Sequence, residues 1–233
     1  MKNIAVILAG GIGARIGGKT PKQLLPLADG RSVLEHAVEA FEQAACIDEI
    51  GIVMHKDYIA QAEKIVHRNG WKKVAFVIAG GSERWESSVN ALREIERRNT
   101  QQNSINVLLH DAARPFVSER IITDVCTALQ QHEAVTVAIP TTDTMYRVGE
   151  QAQNTAIEPV VQDIPPRSTL MCAQTPQAFR LATIAEAYRL ALQDPHLQAT
   201  DDCGIVHRYL PTVPIHIVLG DAQNRKITYK EDL

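Results

Sequence analysis

No apolar run in the chain approaches the roughly 18 residues that a membrane-crossing helix needs. The opening MKNIAVILAGG has a short apolar stretch, but glycines follow at once and no small-residue cleavage site appears. These absences argue against a membrane-crossing helix and a secretory leader, and a cytoplasmic protein is the expectation. The four cysteines, Cys46, Cys126, Cys172 and Cys203, lie far apart and form neither a CxxC pair nor a metal-ligand cluster. They read as small, semi-buried residues. An excess of positive charge is also missing, with 24 Lys and Arg against 27 Asp and Glu for a net charge of -3. Without a broad basic field, nucleic acid is excluded as the main partner, and any anion site must be built locally. Internal repeats, low-complexity segments and charge runs long enough to form tails are absent as well.

What is present suits a globular α/β chain: 233 residues, 45% hydrophobic and 22% charged. Six short β-branched apolar segments read as strands: Asn3–Leu8, Glu49–Met54, Val74–Ile78, Ile105–His110, Ala134–Ile139 and Ile215–Leu219. Most are continuous apolar runs, as expected of strands covered on both faces. Helical stripes lie between them, at Val33–Ala45, at Ile59–Val66, at Trp85–Ile95 and at Leu181–Gln193, and the aromatics within those stripes read as core. Alternating strands and helices imply a mostly parallel sheet with right-handed crossovers. One domain over residues 1–233 is expected, interrupted by an excursion at 141–167. There Asp143–Val148 and Ala156–Val161 flank GEQAQN and read as a hairpin closed by Pro165-Pro166. An isolated hairpin is marginal in water, so this one is expected to pack against something such as a second subunit.

The first strand runs directly into Gly10-Gly11-Ile12-Gly13-Ala14-Arg15. Glycines at a strand's carboxyl end let backbone N–H groups approach phosphate oxygens without an intervening Cβ. The spacing is not the dinucleotide fingerprint, because Ile16 stands where that pattern needs glycine, and no GK[ST] follows as in a P-loop. Two cations accompany the loop: Arg15, and Lys22 directly after Pro21, whose ring restrains the chain there. Both could face a triphosphate, or both could be ordinary solvated charges.

The segment LAGGIGARIGGKTPKQLLPL at Leu8–Leu27 resembles the opening of nucleotidyltransferases that activate sugar and polyol phosphates. It is most similar to the 2-C-methyl-D-erythritol 4-phosphate and ribitol-5-phosphate cytidylyltransferase family. Further blocks agree in order: Gly80-Gly81-Ser82-Glu83-Arg84 with Ser87-Ser88, HDAARPF at His110–Phe116, Asp143-Thr144, AQTPQAF at Ala173–Phe179, Thr200-Asp201-Asp202 and Asn224–Thr228. The resemblance implies an α/β, Rossmann-like, mostly parallel mixed sheet with helices on both faces. It also implies a protruding β-hairpin arm that crosses to a second subunit of a homodimer.

The reaction implied is transfer of CMP from CTP to a polyol phosphate with release of pyrophosphate. A phosphate nucleophile needs no general base, so the work is positioning and charge neutralisation. By the resemblance Arg15, Lys22, Arg167 and Lys226 are catalytic, the last two holding the attacking phosphate. Leu8, Ala9, Gly10, Gly11, Gly13, Gly81, Arg84, Ser88 and Ala112 bind the nucleotide. Asp111, Arg114, Thr144 and Thr200 complete the acceptor side, and Asp111 also holds Mg²⁺. From the residues alone, Asp111 reads equally well as a salt-bridge partner of Arg114, three positions on. His110 reads as a packed strand residue rather than an acid or base, and Ser82 as a helix N-cap.

On the acceptor the motifs divide. Tyr146 stands where methylerythritol enzymes commonly carry Lys, and Phe116 and Cys203 also occur in the ribitol branch. Ala113 and the run Arg167–Pro176 look more like the methylerythritol branch, which is the reading adopted. The alternatives are a ribitol-5-phosphate enzyme and, lower, an inactive nucleotide-binding protein. The chain stops at Glu231-Asp232-Leu233, where the family continues with a helix. Such an ending fits a trimmed chain or the first domain of a longer one carrying a reductase.

Overall fold

The computed structural model describes residues 1–11, 20–100, 104–149, 158 and 160–233. Strand β1 (Lys2–Ala9) lies at the heart of a seven-stranded sheet. With β2 (Glu49–Met54), β3 (Val74–Ala79), β4 (Ile105–Asp111), β5 (Ala134–Pro140), β8 (Met171–Arg180) and β9 (Ile215–Leu219), the order across the sheet is β3-β2-β1-β4-β8-β5-β9. All six strands read from the sequence form in place. Every pairing is parallel except those of β8, which runs antiparallel to both β4 and β5.

Alternation along β1 shows why the strands read as unbroken apolar runs. Ala5, Ile7 and Ala9 enter a core shared with α1 (Val33–Gln43), α2 (Ile59–Asn69) and α4 (Glu119–Ala128). Ile4, Val6 and Leu8 enter the opposite core, with α3 (Arg84–Arg98), α5 (Leu181–Ala191) and α6 (Asp202–Tyr209). Both faces are dry, so neither can alternate with polar residues.

β8 escapes a propensity reading because MCAQTPQAFR has few β-branched residues and a proline at its middle. The sheet accommodates Pro176 at an irregularity. Val135 pairs with Ala178 and Val137 with Gln174, so Thr136 alone faces Thr175, Pro176 and Gln177. The polar residues Gln174, Thr175 and Gln177 are buried there. The excursion holds a two-stranded ladder, β6 (Arg147–Val148) with β7 (Val161–Asp163). The return strand thus pairs later than Ala156–Val161, and half of that predicted segment, Ala156, Ile157 and Pro159, lies outside the described residues.

The order 3-2-1-4 places a switch point between β1 and β4, where an open α/β sheet leaves a crevice at the strands' carboxyl ends. Leu8 registers against Asp111 and Ile7 against His110. His110 is fully buried, as a packed strand residue should be. Its Nε2 lies 2.9 Å from the Arg114 carbonyl, an acceptor only, so Nε2 carries the proton. Nδ1 then accepts from the Thr175 hydroxyl at 3.1 Å, and Thr175 Oγ1 accepts the Asp111 N–H at 3.1 Å. The imidazole is a neutral strut that fixes the end of β4.

Burial pushes the His110 pKa down from 6.5 to about 4, against partial support from the Arg114 carbonyl. The unfolded chain therefore binds the proton first, and this contribution to stability is lost as pH falls from 6.5 towards 4. The expected loss is about 3 kcal/mol. Denaturant unfolding of wild type and His110→Gln across that range should show a steeper fall for wild type. Parallel curves would contradict the assignment.

Candidate active site

Two glycine turns meet at the switch point. A Cβ on Gly10 would lie 3.1 Å from Ser87 Oγ, and one on Gly80 would lie 2.8 Å from the same oxygen and 3.4 Å from Gly10 Cα. Only bare backbone lets the turns after β1 and β3 approach this closely. Ser87 Oγ also accepts the Gly81 N–H at 3.1 Å. On the other side, Gln23 donates from Nε2 to the Gly11 carbonyl at 2.8 Å.

Between the turns and the end of β4 opens a cleft of about 600 Å³. Its lining includes Leu8, Gly10, Gly11, Lys22, Gly81, Arg84, Asp111 and Lys226, which distant parts of the chain were expected to supply. The C-terminal segment reaches the cleft through backbone anchors. Ile227 donates its N–H to Ala113 at 2.8 Å, and its own carbonyl accepts Lys22 Nζ at 2.8 Å. Arg114 donates to the carbonyls of Asn224 at 2.8 Å and Ala173 at 3.0 Å. Arg114 thus stitches the Lys226 segment to the sheet, and it makes no ion pair with Asp111.

Asp111 is instead held by two other cations. Arg84 Nε donates to Oδ1 at 3.0 Å and Lys226 Nζ to Oδ2 at 2.7 Å. Beyond Arg84 stands a second acid, since Arg84 NH1 donates to Asp202 Oδ2 at 2.6 Å. The result is a row, Asp202–Arg84–Asp111–Lys226, running from the core to the cleft with side-chain exposures of 0, 26, 13 and 44%. Burial alone would raise the Asp111 pKa, but Arg84 and then Lys226 outweigh it and hold the carboxyl well below its usual range. Burial acts against the Arg84 charge too, and Asp202 and Asp111 overcome it, raising that pKa. Asp111 and Arg84 therefore both stay charged around neutrality.

Several expected residues lie elsewhere. Ala9 and Ala112 are fully buried behind the cleft, Ala112 donating its N–H to the Leu8 carbonyl at 3.0 Å. Ser88 is also fully buried, because α3 turns Ser88, Ala91, Leu92 and Ile95 inward together. Its neighbour Ser87 faces the cleft instead. That correction was legible in the helical phase. Ser82 lies before the helix rather than capping it, and α3 starts after Glu83. The Glu86 carboxylate accepts the N–H groups of Ser82 and Glu83 at 2.6 and 3.3 Å. Thr144, Arg167 and Thr200 are exposed and do not line this cleft, and Arg167 NH1 donates to the Thr142 carbonyl at 2.9 Å. Gly13 and Arg15 lie outside the described residues. Gln23, Ser82, Glu83, Ala113 and Thr228 line the cleft without having been singled out as ligands.

The lining holds no histidine or cysteine among the described residues. Positive side chains and backbone amides beside two carboxylates, Glu83 and Asp111, suit a polyphosphate whose reaction needs charge neutralisation. The Ser87 and Ser88 placements separate in experiment. Ser87→Ala should raise the KM for nucleotide several-fold with little change in melting temperature. Ser88→Ala should lower the melting temperature and leave KM unchanged, and the reverse pattern would refute the placement.

Comparison with known proteins agrees with this geometry. The family model described as 2-C-methyl-D-erythritol 4-phosphate cytidylyltransferase matches residues 3–233. A protein of that name from Thermobifida fusca (strain YX) is 44% identical over 229 residues, covering 98% of this chain and 89% of its own. The bifunctional ribulose 5-phosphate reductase/CDP-ribitol pyrophosphorylase Bcs1 of Haemophilus influenzae is 37% identical over 232 residues, covering 100% of this chain and 47% of its own. Among solved structures, the 4-diphosphocytidyl-2C-methyl-D-erythritol synthase of Anaerococcus prevotii DSM 20548 superposes with a TM-score of 0.82 at 28% identity, covering 99% and 92% of the two chains. The two glycine turns, the charged row at the end of β4 and the match along the whole sheet converge, and the chain belongs to the 2-C-methyl-D-erythritol 4-phosphate cytidylyltransferase family.

Proposed function

We propose that the protein transfers CMP from CTP to 2-C-methyl-D-erythritol 4-phosphate, releasing pyrophosphate. The acceptor's phosphate oxygen attacks the α-phosphorus in line, one P–O bond forms, and the bond to pyrophosphate breaks. The observation that carries this reading is the pairing of Lys22 and Lys226 through Ile227, which brings a cation from each end of the chain to one cleft. Lys22, with Arg15, would neutralise the triphosphate, and Lys226 would meet the acceptor phosphate. Gly10, Gly11 and Gly81 would hold the nucleotide through backbone groups, with Ser87 alongside.

Mg²⁺ fits the same residues. No group of three or more acidic, histidine or cysteine side chains forms a metal cage among the described residues. Asp111 offers the one carboxylate at the end of β4, the pattern of a site that Mg²⁺ shares with phosphate oxygens and water. When bound there, the ion would neutralise charge on the triphosphate. Asp111 would hold it after Lys226, the more exposed partner, releases Oδ2.

The methylerythritol acceptor is preferred because identity is 44% to the cytidylyltransferase of that branch and 37% to the ribitol-linked protein. Tyr146, the departure that favours ribitol, is 59% exposed on the arm and does not line the cleft of its own chain. The arm presents Met145, Val148, Val161 and Ile164 to solvent. A homodimer would cover these apolar residues and could carry Thr144 and Arg167 to the partner's cleft, leaving Thr200 to complete the acceptor side. No helix among the described residues is long and apolar enough to cross a membrane. The four free cysteines support a cytoplasmic location.

Incubation with CTP, Mg²⁺ and either acceptor, followed by pyrophosphate release, tests this reading. Methylerythritol phosphate should turn over and ribitol 5-phosphate should not. The opposite preference would overturn the acceptor, and no transfer from CTP would overturn the whole proposal. Lys22→Ala should melt like wild type and lose about 10²–10³ in kcat.

A further inference from the structure

Asp202 stands outside the cleft and carries no role in the reading above, yet it is built with unusual care. Its side chain is fully buried. Oδ1 accepts the Tyr188 hydroxyl at 2.6 Å and Oδ2 accepts Arg84 at 2.6 Å, while its backbone N–H donates to Gln177 Oε1 at 3.0 Å. A buried carboxylate is costly to maintain, and a neutral residue with the same shape would satisfy Tyr188 and Gln177 equally well. The negative charge answers only Arg84.

Arg84 faces two acids at once. Without Asp202 its whole charge would fall on Asp111, the carboxylate that meets the ligand. We infer that Asp202 is a positioning residue that draws the Arg84 charge away from Asp111, keeping Asp111 available to a divalent cation bound with the nucleotide. The inference rests on the Mg²⁺ reading of Asp111 given above. The geometry favours it over a purely structural role. Arg84 reaches Asp111 through Nε at 3.0 Å and Asp202 through NH1 at 2.6 Å, so one guanidinium spans both and the shorter contact is to the buried acid. Removing a negative charge two links away makes the cleft more positive, which weakens any cation there.

The probe is Mn²⁺, titrated with CTP and no acceptor in the presence and absence of protein, with free Mn²⁺ read by electron paramagnetic resonance and binding taken as the further loss of signal that the protein causes. Asp202→Asn should weaken Mn²⁺ binding about tenfold. Tyr188→Phe disturbs the same buried contact but keeps the charge. It should lower the melting temperature and leave Mn²⁺ affinity unchanged. The double variant Arg84→Met with Asp202→Asn removes both charges together and, at CTP concentrations that saturate it, should bind Mn²⁺ at least as tightly as wild type.

Unchanged Mn²⁺ affinity in Asp202→Asn would overturn the inference, as would equal weakening by Tyr188→Phe. If Asp202→Asn does not fold, the double variant decides, and binding weaker than wild type would overturn it. Failure of wild type itself to bind Mn²⁺ with CTP would overturn the metal reading and this inference together. Normal wild-type binding that ignores Asp202 overturns the inference alone.

Discussion

The guanidinium of Arg84, shared between Asp111 and Asp202, is the contact on which the rest of the site depends. Arg84 begins α3, Asp111 ends β4, and Asp202 begins α6, so one side chain locks three elements from different parts of the chain. A partly buried ion pair is strong only when its remaining hydrogen-bonding positions are filled. Here Tyr188 fills one and Lys226 another. The geometry of the cleft is therefore an electrostatic balance, with acids and cations alternating outward from the core.

Around that balance the backbone does the shaping. The glycines after β1 and β3 allow two turns to lie against each other across Ser87 Oγ. His110, neutral because it is buried, links Thr175 to the Arg114 carbonyl and so fixes the residue beside Asp111. Arg114 and the Ile227 backbone bring the C-terminal segment to the same place. Little of this chemistry involves proton transfer. It suits a reaction whose nucleophile is already an anion and whose difficulty is bringing anions together.

Much of the sheet was legible because strands dry on both faces carry unbroken apolar runs, as Ile4–Ala9 of β1 and Val107–Leu109 of β4 do. β8 was hidden for the opposite reason. Half of its buried residues, Gln174, Thr175 and Gln177, are polar, and a proline sits at an irregularity that only the partner strand β5 reveals. Among site residues, Lys22, Arg84, Asp111 and Lys226 announced themselves through motifs, and the cleft gathers them. The partners of Asp111 did not. Sequence separations of 27 and 115 residues to Arg84 and Lys226 give no local signal, whereas the nearby Arg114 suggested a pair that does not form. Ser87 and Ser88 differ by one step of helix, and the apolar stripe of α3 decides between them.

The arm stands apart from this economy of contacts, with apolar side chains open to solvent and two expected acceptor residues at its base. The central claim concerns the transfer itself: a single in-line displacement driven by fixed charge, with no covalent nucleotidyl-enzyme. The stereochemical course tests it most directly, using CTP made chiral at the α-phosphorus by sulfur substitution and methylerythritol phosphate as acceptor. The account predicts inversion at phosphorus in the product. Retention would require two displacements through a protein nucleophile and would contradict it.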